Sequence, residues 1–497
     1  MKKVYILLFG VLAMLIASCT EGFEEANTDP YKLSKVPAKT LITPIVFNAH
    51  WTLNTKGWKV CHDLMQYTMQ TNGNEAIHLY DVRNSDVEYL WDNLYRRAND
   101  ANNMCLLARE QGSSETRNDA LAIGLTLRAW ILFNLTDMFG PIPFSDALKG
   151  LSDKTLRPKF DSQEAVYITL LDDLKKANSL FTSDEEEGAL SFTDAVDRLY
   201  DGNLVKWRMF CNSLRVRYLL RASARTSVNA AQELKEIVEN PDLYPVFTSV
   251  EEGAILYFDK APFQNKFYDV KAAEFSGVKK MCATLVDNMN RLSDPRRKWY
   301  MTQKSSKYVG IPSGEDQTVI DEWKDKASTL STNWQKINCP FVIMGYSELQ
   351  FALAEAAMKG LIQGGDDVAA VYYENAVRAA FAERSINAPS TIKEADIDKY
   401  LAQANVKYNK TLKRIMEQKW LSLYFVGFES WSEFRRTGQP EYIVPGPAAK
   451  QSVLPTRFYY PDICKSSNKG NVDEGITLLG GADDMMTKLW WANSENE

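Results

Sequence analysis

The chain has 497 residues, 45% hydrophobic and 25% charged, with 58 Lys and Arg against 64 Asp and Glu for a formal net charge of −6. That length and apolar content can bury an ample core and exclude a disordered or fibrous chain. The acidic balance argues against nucleic acid, whose phosphates need a concentrated basic surface.

In chain order, the first signal is Lys2-Lys3 followed by an apolar run from Val4 to Ala17 that closes on Ile16-Ala17-Ser18-Cys19. A charged start, apolar middle and small-residue finish make a secretory leader, and the run falls short of the ~20 residues that cross a bilayer. Residues 1–18 therefore read as a lipoprotein signal peptide, cut before Cys19 so that its thiol is lipidated. Acyl chains contribute about 0.8 kcal/mol per buried CH₂, and two or more hold a protein durably at a membrane. Residues 19–37, acidic at Glu21, Glu24 and Glu25, read as the lipidated tether, and residues 38–497 as a single domain. No later stretch reads as apolar for long enough to span a membrane, so the lipid is the expected anchor.

Helical period dominates the domain. Val87, Leu90, Trp91, Leu94, Tyr95 and Ala98 recur near 3.6 residues within Ser85 to Glu110. A second helix, Thr116 to Phe139, stops at Gly140-Pro141-Ile142-Pro143, where prolines remove backbone donors. Further helices are predicted over Ser162 to Phe181, Gly202 to Ala224, Ala230 to Glu239, Gly277 to Leu292, Gly345 to Lys359, Asp366 to Glu383 and Lys410 to Phe425. Paired helices with short connectors predict a mostly α fold with tetratricopeptide-like stacking, although no clean repeat consensus occurs. Between them, Tyr244 to Gly277 and Arg296 to Pro340 are irregular, rich in Gly, Pro, Ser, Asp and aromatics, as functional loops are. Cys61, Cys105, Cys211, Cys282, Cys339 and Cys464 form no C-x-x-C pair and have no metal-ligand spacing with His50, His62 or His78. They read as packed thiols, with an oxidised pair left open by export.

Several blocks then resemble the SusD/RagB family of nutrient-binding outer-membrane lipoproteins of Bacteroidetes, in its SusD-like branch. They are Leu135-Thr136-Asp137-Met138-Phe139-Gly140-Pro141-Ile142-Pro143-Phe144-Ser145-Asp146-Ala147, Asp197-Arg198-Leu199-Tyr200-Asp201-Gly202 with Lys206-Trp207 and Asn212-Ser213-Leu214-Arg215-Val216-Arg217, and Asp294-Pro295-Arg296. Later come Glu348-Leu349-Gln350-Phe351-Ala352-Leu353-Ala354-Glu355, Gln418-Lys419-Trp420, Glu429-Ser430-Trp431-Ser432-Glu433-Phe434-Arg435-Arg436-Thr437-Gly438 and Pro455-Thr456-Arg457-Phe458-Tyr459-Tyr460-Pro461. The resemblance implies tetratricopeptide-like helix pairs on one side and an irregular, loop-rich ligand-binding region on the other. It also implies a lipid-anchored, surface-exposed place at the outer membrane and a partner, a SusC-like TonB-dependent transporter.

Shared residues need not touch ligand. Trp207, Trp420, Trp431 and Phe434 lie in helical patterns and read as packing. Arg436 stands three residues after Glu433, at ion-pair spacing, and Glu355 on an apolar helix reads as a buried partner for an arginine such as Arg215 or Arg217. Ligand contact is better sought where aromatics lack helical period, because sugar C–H faces stack on rings while hydroxyls bond to polar fringes. The candidates are Tyr80, Phe263, Phe267, Tyr268, Trp299, Tyr300, Tyr308, Trp323 and Trp334, with Asn72, Asn74, Arg83, Asn265 and Asp269 as polar partners.

No H-E-x-x-H, G-x-S-x-G, Walker or Rossmann motif occurs, so the chain reads as a non-enzyme without a cofactor. Carboxylates between Asp316 and Asp325 could hold a structural calcium, yet no D-x-[DN]-x-[DN]-G loop is present. The expected function is capture of an oligomeric nutrient, a glycan before an oligopeptide, and its delivery to the transporter. The alternatives are a glycoside hydrolase, which needs only two separated carboxylates, and a lid with negligible affinity of its own.

Overall fold

Short polar side chains that accept from a free backbone N–H set where the helices begin. Ser162 accepts from Ala165 N, Asn203 from Lys206 N and Thr411 from Arg414 N, each one residue ahead of a helix. The computed structural model describes residues 36–72, 76–110, 114–149, 155–181, 196–386 and 388–492. The leader 1–18, Cys19, the tether as far as residue 35, and Asn74 lie outside the described residues. From Ala38 onward the chain forms one compact unit.

Its helices are α1 Ile42–Lys56, α2 Asn84–Glu110, α3 Ser114–Phe139, α4 Gln163–Leu180, α5 Leu204–Arg221 and α6 Ala230–Glu239. The second half adds α7 Ala283–Arg291, α8 Tyr346–Met358, α9 Gly365–Ser385, α10 Glu394–Leu401, α11 Leu412–Ser422, α12 Glu429–Thr437 and α13 Lys469–Leu479, besides shorter turns. Consecutive helices pack on one another from α2 through α5, and α8 packs on both α9 and α11. This is the expected mostly α, tetratricopeptide-like arrangement. Among the described residues three two-stranded antiparallel ladders form: 68–70 with 279–281, 142–143 with 160–161, and 254–256 with 341–344.

Two expectations need correction. The segment Arg117–Phe139 is long and apolar enough to cross a bilayer, but 89% of its apolar window is buried inside the protein, so it is a core helix. Glu355 is buried against an arginine as expected, but the arginine is neither Arg215 nor Arg217. Arg436 grips it with two bonds of 2.6 Å, while Arg217 grips Glu348 in the same way and Arg215 bonds to Glu233. The Glu355–Arg436 and Glu348–Arg217 pairs belong to a buried ionic layer between α3, α5, α8, α11 and α12, whereas Glu233 lies on α6 and is partly exposed. Arg221 joins Asp137 to Glu429, Lys419 bonds to Glu433 at 2.8 Å, and Arg436 also reaches Glu433 at 2.6 Å, the expected three-residue pair. Among the described residues Cys61, Cys105, Cys211, Cys282 and Cys339 are buried free thiols, and Cys464 is half-buried and free.

The aromatic core next to this layer makes stability acid-sensitive. Burial holds His50 neutral, its pKa drawn from 6.5 down to about 3. His62, stacked on Tyr424 at 4.7 Å with both ring nitrogens buried and unbonded, is lowered well below 6.5 by burial, then by Lys279 and Arg384. On unfolding, each ring regains an ordinary pKa. Their contribution is therefore intact above pH ~6.5 and is lost as pH falls below it, because the unfolded chain then binds the extra protons. His62→Phe, which keeps the ring without the titration, should shrink the loss of unfolding free energy between about pH 7.5 and pH 5 by about 2 kcal/mol. Denaturant titration at the two pH values measures it, and an unchanged difference contradicts it.

Candidate functional site

A helix exposes one stripe every three to four residues, and two such stripes meet on the irregular side. On α7, Thr284, Asp287, Asn288 and Arg291 share one face; on α11, Lys413, Arg414 and Glu417 share another, below the cap residue Thr411. Together with Pro312, Ser313 and the Tyr442–Pro447 loop they line a cleft of 850 Å³, within the roughly 300–1,000 Å³ typical of ligand sites. Arg291 Nη2 donates across it to Glu417.

The floor and rim are fixed by close backbone packing. Gln66, in the left-handed region at φ 54°, accepts from Thr284 Oγ1 at 2.5 Å and donates to Val444 O at 2.6 Å. Gly314 and Gly446 touch backbone to backbone. A Cβ on Gly446 would lie 2.2 Å from Ser313 O, and Gly314 itself has φ +70°, so both loops need glycine where they meet. Ala448 N donates to Gly314 O at 2.8 Å and completes the rim.

The walls are polar and charged. Asp287 has no hydrogen-bond or ion-pair partner among the described residues, and partial burial pushes its carboxyl upward. Burial, then the nearby Glu417 carboxylate, raises the Tyr442 hydroxyl well above its usual value. Tyr442 OH is buried beneath the wall, and the Arg414 guanidinium lies beside the buried Tyr373 hydroxyl, which it helps to hold down. The cleft can thus accept hydrogen bonds at Asp287 and donate them from Arg291, Lys413, Asn288 and Asn409.

None of the residues singled out from sequence lines this cleft. Tyr80, Phe267, Trp299, Tyr300 and Trp334 are buried, at 2%, 0%, 2%, 0% and 5% exposure, and offer no ring face to a ligand. Trp299 Nε1 donates to Ser390 O at 2.7 Å, and the Trp334 ring stacks on Phe425 at 4.6 Å. Asn265 is buried too, its amide donating to Trp334 O and Lys336 O at 2.7 and 2.8 Å. These side chains secure the irregular loops to the core, because an aromatic segment without helical period must still bury its rings somewhere.

The remaining candidates reach the surface at separate places. Phe263 is half-buried between Phe47 and Arg198, and Tyr308 is half-buried beside Arg297. Tyr268 is 54% exposed. Trp323 is half-buried over Met69, Ile311, Ile320 and Ala327. Gln317, at the start of its short helix, donates to Thr71 O at 3.5 Å, so exposed Asn72 shares that edge. Arg83 is exposed on the turn before α2. The cleft residues were missed because polar positions along α7 and α11 read as ordinary solvated helix faces. The usable signal was Pro312-Ser313-Gly314 and Pro445-Gly446-Pro447, two rigid turns of the kind that wall a site.

A family model described as "Starch-binding associating with outer membrane" matches residues 30–461. Among solved structures, a Bacteroides vulgatus protein named for the outer membrane and nutrient binding is 26% identical with TM-score 0.80, over 92% of this chain and 100% of that one. A SusD homolog from Bacteroides fragilis is 26% identical with TM-score 0.77, over 93% and 100%. A chitin-binding SusD homolog from Flavobacterium johnsoniae shares the fold at 21% identity and TM-score 0.74, over 92% and 98%. No curated protein matches the chain.

Proposed function

This chain belongs to the SusD-like family, described as starch-binding and associating with the outer membrane, and from that premise we propose that it is a surface receptor for an oligosaccharide. In this reading Cys19 carries the lipid that holds it at the outer membrane, and the domain passes its cargo to a SusC-like TonB-dependent transporter. The observation that carries the proposal is the polar cleft of 850 Å³ between α7 and α11. Its unpartnered Asp287 and the donors of Arg291, Asn288 and Asn409 match the alternating donors and acceptors of sugar hydroxyls. A chitin-binding relative of the same fold supports a glycan as the cargo.

The cleft favours binding over turnover. Of its two carboxylates, Glu417 is already held by Arg291, with Arg414 Nε 4.0 Å away. Oligopeptide capture is the second reading, favoured by the single aromatic residue, Tyr442, among the described cleft walls. Calorimetric titration of the purified protein against starch and chitin oligosaccharides, uronate oligosaccharides and peptide digests separates these readings. Saturable binding of one glycan class, with the sugar recovered intact, is the expected result. Binding of peptides alone would replace the glycan reading, and release of shorter sugars would replace the receptor with a hydrolase.

A further inference from the structure

We infer that the cleft takes an anionic oligosaccharide, one whose sugar units carry carboxylates, and that Arg291 and Lys413 hold those carboxylates, with Arg414 adding charge from the wall; the inference rests on the receptor reading above. In a chain of net charge −6, the cleft reverses the sign. Three cations line it against Asp287 and Glu417.

The cations also have donors to give. Arg291 uses only Nη2, on Asn288 and Glu417, which leaves Nε and Nη1 without a partner among the described residues. Arg414 is mostly buried, beside Glu417 and the Tyr373 hydroxyl, and adds positive charge to the wall. Lys413 bonds only to Glu441, at 2.7 Å, and both side chains are more than half exposed, a pair that a ligand can replace at little cost. Both arginines converge on Glu417, Arg291 through Nη2 and Arg414 through Nε at 4.0 Å. A second carboxylate entering beside Glu417 would therefore meet the open edge of the Arg291 guanidinium, whose planar fork suits carboxylate oxygens, with the charge of Arg414 behind it.

Neutral sugars are gripped largely by stacking on open rings, and among the described residues Tyr442 is the one aromatic lining the cleft, with its hydroxyl buried and its ring at 72° to Trp420. Charge can supply what stacking does not. Asp287, the carboxylate that would oppose an anion, is shifted toward its neutral form by desolvation.

The test is calorimetric titration of the purified protein with oligogalacturonate and alginate oligomers, their carboxyl-reduced forms, malto- and chito-oligosaccharides, and oligoglutamate. A uronate oligosaccharide should bind about 10-fold or more tightly than its carboxyl-reduced form, and more weakly as salt rises from roughly 50 to 500 mM. Lys413→Gln and Arg291→Gln should each weaken uronate binding about 10-fold at unchanged melting temperature. Lys413 is exposed, so its variant keeps the test open if Arg291→Gln misfolds. Equal affinity for neutral and uronate sugars would overturn the charge assignment and leave the receptor reading standing. Oligoglutamate binding as tightly as the uronates would overturn it in favour of an acidic peptide, and failure of every oligosaccharide would overturn both readings together.

Discussion

Replacing Arg221 with methionine is expected to destabilise the protein by about 3–5 kcal/mol, the cost of stranding buried charge. Arg221 is 1% exposed and bonds to Asp137 on α3 and Glu429 on α12, with Glu433 3.6 Å away. Methionine fills similar space but supplies no donor, so two buried carboxylates lose their nearest counter-charge at once, with Arg217 Nε still 3.8 Å from Glu429. Such a loss is a large fraction of the roughly 5–15 kcal/mol that holds a typical domain together. It would act on the seam that ties the α2–α5 stack to the second half of the chain. Guanidinium denaturation of the variant beside the parent measures it. Should Arg221→Met fail to fold, Glu429→Gln removes one charge from the same seam and should lose about 1–3 kcal/mol. A loss below 1 kcal/mol for both would mean that the buried ionic layer contributes no stability.

The second large effect concerns a residue that sequence placed in a ligand platform. Trp334→Ala should cost about 3–5 kcal/mol of stability, as truncation of a buried indole does, and leave ligand affinity unchanged in the folded fraction. The ring is 5% exposed, stacked on Phe425 at 4.6 Å and set edge-on to Tyr424 at 5.5 Å. Denaturation and titration on the same sample separate the two roles. Weakened binding with intact stability would restore Trp334 to the site and remove it from the core.

That reversal shows where sequence was informative. Period alone located most helices, and Ala230–Glu239 coincides with its expected bounds. Gly277 to Leu292 was expected to be helical throughout, yet residues 279–281 pair with 68–70 and the helix starts only at Ala283. A strand more than two hundred residues upstream decided that boundary, and local propensity yielded to it. The three-residue Glu433–Arg436 pair was legible because both ends share a helix. The choice of Arg436 for Glu355 was not, because 81 residues separate them and only the packing of α8 against α12 brings them together. The cleft was hidden in the same way: α7 and α11 each show an unexceptional polar stripe, and chemistry arises where they face one another. Irregular aromatic loops, by contrast, looked like binding surface and are largely anchors, since Trp299 and Trp334 are needed to hold an irregular segment on the core.

The location of the binding site is the central claim, and Ser313→Trp tests it most directly. Ser313 is half-buried on the rim of the cleft, where an indole would fill space that a ligand needs. Titration of this variant with whichever oligosaccharide the parent binds should show binding lost, with the melting temperature within a few degrees of the parent's. Full affinity retained in the folded variant would place the site elsewhere and would contradict the assignment of the cleft.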